Sequence, residues 1–149
     1  MADKLDLTGD IATGVNGAAL RGNTLVLGYV DDEGDAAVSF RGSTHVHSPH
    51  QLAIWARKAD EGFAKAIATR PKVSMLYYSP DGPGPVYLSI KGRAHVEPSA
   101  NDEVYASIIE GEQAQDPERK GVAVIIDVDS VMGFGADGMF QMERDATSV

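Results

Sequence analysis

The chain contains no cysteine. That excludes a disulfide framework, a thiolate metal site and a cysteine nucleophile, and it suits a reducing compartment. An excess of positive charge is also missing: 13 Lys and Arg stand against 22 Asp and Glu, a formal net charge of −9. Such a field repels nucleic acid and anionic lipid, so an anionic ligand would require a local basic pocket. No apolar run approaches the ~20 residues of a membrane-spanning helix. Met1-Ala-Asp-Lys-Leu-Asp-Leu7 lacks the basic start and apolar stretch of a secretion signal. The expectation is a cytoplasmic protein with a small-molecule ligand, and with neither nucleic acid nor membrane as partner.

Catalytic signatures are missing too. There is no His-Glu-x-x-His zinc pattern and no Gly-x-Ser-x-Gly elbow. Gly133-Phe-Gly135 lacks the third glycine and the βαβ context of a dinucleotide-binding loop. The function therefore has to be sought in the pattern of elements and in the placement of a few cations and aromatics.

The 149 residues, 43% of them hydrophobic, suit one domain over 1–149 with a real core. In residues 1–22, Leu7, Ile11, Val15 and Ala18 fall at helical spacing, but Gly9, Gly14 and Gly17 each weaken that helix by up to ~1 kcal/mol. Thr24–Val30 is β-branched and apolar, Asp31-Asp-Glu-Gly34 is a hairpin turn, and Ala36–Phe40 is the return strand. Arg41–His50 reads as a polar loop, or as a strand with a loop. Gln51-Leu-Ala-Ile-Trp-Ala56 is the third strand, apolar on both faces, which implies burial on both sides or at an interface.

Asp60–Thr69 reads as a helix, with Phe63 and Ile67 one turn apart and Pro71 as its stop. Val73–Tyr78 and Val86–Val96 are strands separated by Ser79-Pro-Asp-Gly-Pro-Gly-Pro85, which no regular element accommodates. Ser99–Asp102 resembles a capping box, and Gly111 suits the end of the helix it would open. A charged loop Glu112–Lys120 leads to the β-branched strand Val122–Val128. After a glycine-rich turn from Gly133 to Gly138 comes a last strand, Met139–Arg144, and residues 145–149 read as a frayed tail. Six or seven strands at hairpin spacing with two or three short helices predict a mainly β protein, closed as a small barrel to protect its edges.

The order from Thr24 to Val96, with its "RPKVSMLYY" and "YLSIKGRAHV" strands, resembles the pyridoxamine 5′-phosphate oxidase-like family of FMN-binding split barrels. The exit "VDSVMGFG" of the Val122 strand fits the same pattern. The resemblance covers about two thirds of the chain. It implies a split β-barrel homodimer, FMN near the subunit interface, and oxidoreductase chemistry on a small organic substrate or a reduced nicotinamide. The family's Ser/Thr-Arg-Lys run is replaced by Glu61-Gly62-Phe63, and the basic pair Arg57-Lys58 lies several residues earlier. The resemblance then places the flavin phosphate on Arg41, Ser43, Thr44, Arg57 and Lys58, with Trp55 as a wall of the ring or as core. The departure leaves two alternatives open: the deazaflavin F420 or haem as cofactor, and a non-catalytic binding protein. His45, His47 and His50 form the histidine cluster, too few and too irregular for a metal site on sequence grounds.

Overall fold

The computed structural model describes residues 2–145. The frayed tail expected at 145–149 lies outside them, apart from Asp145. Nine strands carry the fold: β1 (Asp3–Lys4), β2 (Val26–Val30), β3 (Ala36–Phe40), β4 (His45–Ser48), β5 (Gln51–Ala56), β6 (Lys72–Tyr78), β7 (Tyr87–Val96), β8 (Val122–Gly135) and β9 (Gly138–Glu143). Four short helices join them: α1 (Asp10–Asn16), α2 (Gly62–Ala66), α3 (Asn101–Ser107, after a 3₁₀ turn at Pro98–Ala100) and α4 (Glu110–Gln113). None is long and apolar enough to cross a membrane.

The sheet runs β1-β9-β8-β7-β6-β2-β3, and β5 branches from β8 carrying β4. All pairings are antiparallel except the short β1–β9 contact. The fourteen-residue β8 makes the branch possible. Its first half pairs with both β5 and β7, its second half with β7 and β9. The two halves part at a bulge between Lys91 and Gly92. A side chain at position 92 would put its Cβ 2.5 Å from the Asp127 carbonyl oxygen, so the close strand approach requires glycine there. Gly92→Ala is therefore expected to lower stability by about 1–3 kcal/mol, the usual cost of overpacking. A thermal melt within 1 °C of the native protein would contradict that reading.

Alternation along the strands builds the core. In β6, Val73, Met75 and Tyr77 are buried, while Lys72, Ser74, Leu76 and Tyr78 are exposed. Leu27, Leu52, Ile54, Leu88, Ile90, Val124, Ile126 and Val131 complete the inner layer. Helix α1 adds Ile11 and Val15 to the same cluster, so its glycines are tolerated through docking rather than through propensity. Arg21 supports the docking: its Nη2 donates to the Gly14 carbonyl and to the buried Tyr77 hydroxyl.

The two apolar faces of β5 have a direct cause. Leu52, Ile54 and Ala56 face the barrel, while Ala53 and Trp55 face a second cluster with Val104, Tyr105 and Ile108 from α3 and its exit. Other differences from the sequence pattern are local. No side chain caps α3, and α4 runs through Gly111, where a stop was expected. Strand β8 continues to Gly135, through the first half of the expected glycine-rich turn. The polar loop after β3 contains a true strand, β4. The hairpin at residues 31–34 forms as expected: Asp31 Oδ1 accepts from the Glu33 and Asp35 backbone N–H groups, and Gly34 takes φ +85°.

One sheet face is left uncovered, and it is apolar at one end. Phe40, Val26, Leu76, Ser89 and Met132 lie in one row across β3, β2, β6, β7 and β8. Tyr78, Tyr87, Phe134 and Met139 form the row beside it. Tyr87 and Phe134 stack with ring centroids 5.3 Å apart. Phe40 is 74% exposed and Tyr78 59%.

Candidate functional site

A cavity of about 490 Å³ opens where the end of β3, the end of β5, α2 and the loop before β8 meet. Arg41, Arg57, Lys58 and Lys120 bring positive charge to it; Tyr29 and Phe63 supply aromatic surface; Gln115 and Asp116 come from the loop. Three cations named from the sequence thus converge on one cavity, although Arg41 is separated from the other two by a strand pair.

Local structure explains each position. Arg41 leaves β3 with its guanidinium 4.8 Å from the centre of the Phe63 ring, and its Nε donates to Ser39 Oγ. Tyr29 packs against Phe63 in a tilted arrangement, ring centroids 5.1 Å apart. Phe63 is buried, so the residue that replaces the family's cation makes the floor on which Arg41 rests. Arg57 and Lys58 follow β5 directly and are exposed. Arg57 Nη1 donates to Gln115 Oε1 at 3.2 Å.

Among the described residues, Arg41, Arg57 and Lys58 form no ion pair; Lys120 reaches Glu118 at 3.3 Å. Burial pulls the Arg41 guanidinium below its ordinary pKa, opposed by Tyr29, and Arg57 pushes the same way as burial while Glu112 opposes it. Arg41 and Arg57 repel each other, although the carboxylates of Glu112, Glu61 and Asp116 lie nearby and neither arginine is ion-paired among the described residues. An anion in the cavity would relieve that repulsion.

The remaining sequence candidates lie elsewhere. Ser43 is buried, its hydroxyl accepting from the Trp55 N–H and donating to the Trp55 carbonyl. Thr44 Oγ1 donates to the Arg41 carbonyl. Both hydroxyls thereby shape the backbone between Arg41 and β5 rather than line the cavity. Trp55 is 4% exposed and packs edge-on against Tyr105 at 5.2 Å. Its indole N–H donates to Asp116, so it touches the site only through that carboxylate.

Tyr29, Phe63, Gln115, Asp116 and Lys120 are among the lining residues that the sequence pattern did not name as site candidates. Phe63 carried a legible signal, since an aromatic stands where a cation was expected. Gln115 and Lys120 sit in a loop whose path no local pattern reveals.

The histidines do not gather into a site. Among the described residues no group of three or more His, Cys, Asp or Glu could hold a metal. His45 is buried; its Nδ1 lies 2.9 Å from the Ser43 carbonyl, which makes Nδ1 the protonated nitrogen, and its Nε2 has no protein partner. Burial holds its pKa below 6.5, outweighing the hydrogen bond to Ser43. The unfolded chain therefore binds this proton more readily than the folded one. Stability from a neutral His45 is complete above pH 6.5 and is lost as pH falls below it. The melting temperature is expected to fall between pH 7 and pH 5 in the native protein, and less in His45→Gln. Equal slopes in the two would contradict this.

No family model matches the sequence, and no curated protein matches it. Solved structures do match, at low identity. An FMN-binding, pyridoxamine 5′-phosphate oxidase-related protein of Nostoc punctiforme has a TM-score of 0.64 at 13% identity, over 87% of this chain and 83% of that one. PhzG of Burkholderia lata, solved with tetrahydrophenazine-1-carboxylic acid, has 0.61 at 13% identity over 88% and 83%. An F420 reductase has 0.57 at 15% identity over 73% and 88%. The fold is that of the pyridoxamine 5′-phosphate oxidase-like, FMN-binding split barrels, and the resemblance carried by the sequence is thereby shown at the level of the fold.

Proposed function

We propose that the protein binds a flavin phosphate in the cation cavity and works as a flavin-dependent oxidoreductase on a small organic molecule or a reduced nicotinamide. The observation that carries this reading is the convergence of Arg41, Arg57 and Lys58, none ion-paired among the described residues, beside the Tyr29–Phe63 aromatic wall. The donor set fits the group. Guanidinium groups match a phosphate bidentately, and Lys58 adds a mobile point charge. Arg41, resting on Phe63, has little conformational freedom left to lose on binding. Bound flavin would supply electron or hydride transfer, which accounts for the lack of a visible nucleophile or triad motif in the sequence. The protein's own part is to bind, to orient and to keep water from the apolar wall.

A deazaflavin is the second reading, favoured by the fold shared with an F420 reductase and by a fourth lining cation, Lys120. The proposed assembly is a homodimer through the exposed apolar rows around Leu76, because a patch of that kind on a sheet face favours a two-fold partner.

The test is the visible spectrum after mixing with FMN and removing the excess. A retained two-band flavin spectrum that bleaches with NADH or NADPH and recovers in air supports an oxidoreductase. Retention without cycling makes the protein a binder. No retention of FMN or F420 sinks the reading.

A further inference from the structure

The loop 114–121 is wound around one carboxylate. Asp116 is 7% exposed, yet among the described residues no cation forms an ion pair with it. Its Oδ2 accepts from Trp55 Nε1 at 2.9 Å and from the Gly121 N–H at 2.8 Å, and its Oδ1 accepts from the Lys120 N–H at 2.9 Å. The Asp116 carbonyl in turn accepts from the Tyr105 hydroxyl at 3.1 Å. Burial alone would raise the pKa of this group; the three N–H donors and the charge of Lys120 outweigh it and hold it below the ordinary carboxylate value.

The winding leaves no slack. Arg119 takes φ +54°, a region that non-glycine residues seldom enter. At Gly121, a Cβ would sit 2.3 Å from the Ala56 carbonyl oxygen and 2.8 Å from the Trp55 indole nitrogen. Strain of this kind persists only where surrounding structure imposes it. The loop is therefore tied to Trp55 at Asp116 and lies close against Ala56 at Gly121, and Gln115 is the side chain it presents to the Arg57 guanidinium.

We infer that Gln115 and Asp116 are positioning residues of the cation cavity: Asp116 fixes the loop through Trp55 and Gly121, and Gln115 thereby holds Arg57 toward the anion. This rests on the reading of that cavity as an anion site. Arg57 is exposed and has no other side-chain partner among the described residues, so without Gln115 its long side chain samples many rotamers, and binding would have to order it. The arrangement also makes the sole tryptophan a reporter, since Trp55 donates to the carboxylate that anchors the loop.

The experiment uses the full chain with two probes, FMN and inorganic pyrophosphate, followed by calorimetry and by Trp55 fluorescence. Gln115→Leu breaks the link to Arg57 but leaves Asp116 and the loop bonds intact. It is expected to weaken binding of either probe by about fivefold, the scale of one ordinary solvent-exposed hydrogen bond, with an unchanged melting temperature. Asp116→Asn leaves buried N–H donors facing an amide; it is expected to lower the melting temperature, shift Trp55 emission and weaken binding further. Native affinity in Gln115→Leu would overturn the inference, whatever Asp116→Asn does. Binding of pyrophosphate but not FMN by the native protein would remove the flavin reading and leave Gln115→Leu decisive. Binding of neither probe would overturn both.

Discussion

Arg41→Ala, Arg57→Ala and Lys58→Ala combined are expected to abolish FMN retention while leaving a folded protein. A hydrogen bond to a charged group is worth about 1.5–3 kcal/mol, so losing two or three weakens binding by roughly a hundredfold or more. Arg57 and Lys58 are exposed and join no ion pair among the described residues, so stability should barely register their loss. Arg41 differs, because its guanidinium lies over Phe63; removing it gives up a cation–π contact of about 0.5–1 kcal/mol and lowers the melting temperature slightly. Affinity of the native protein should also fall with added salt, since the pair Arg57–Lys58 sits in solvent. Equilibrium dialysis against FMN at two ionic strengths measures both effects. Unchanged affinity in the triple variant would place the ligand elsewhere.

Leu76→Asp is expected to yield a monomer at micromolar concentration, against the dimer proposed for the native chain. Leu76 sits at the middle of the row that joins Phe40, Val26 and Met132, and it is 44% exposed on a face with no covering element. A carboxylate there costs little in the monomer, because the position is open to water. In a two-fold interface it would be buried near its own symmetry mate, at a cost of several kcal/mol. Phe40→Asp, two strands away in the same row, should act in the same direction. Sedimentation velocity separates the cases. A native monomer would remove the proposed assembly, and a variant dimer would move the interface to another face.

Much of the fold was legible because alternation and turn chemistry act locally. Val73, Met75 and Tyr77 point inward as their spacing requires, and Asp31 with Gly34 closes the first hairpin by its own hydrogen bonds. Strand β5 was ambiguous in sequence for a physical reason: α3, some fifty residues later, covers its second face, and no local signal announces that cover. The end of α3 was misjudged because Gly111 lies inside α4, a one-turn helix of the kind that propensity does not foretell.

The site was half legible. Cations next to strand ends could be named, but not the ring beneath Arg41, because Phe63 looked like a lost lysine rather than a gained surface. Ser43, Thr44 and Trp55 stood near the right residues in sequence. Their polar atoms turn instead to backbone and to Asp116, and only the three-dimensional path of residues 114–121 makes that visible.

Titration of the native protein with FMN and, in parallel, with riboflavin tests the central claim most directly. The two ligands share the ring and differ by the phosphate that Arg41, Arg57 and Lys58 are proposed to hold. FMN should bind at least about a hundredfold more tightly than riboflavin, the scale of two charge-assisted contacts. Equal affinity for the two, or none for FMN, would contradict the account.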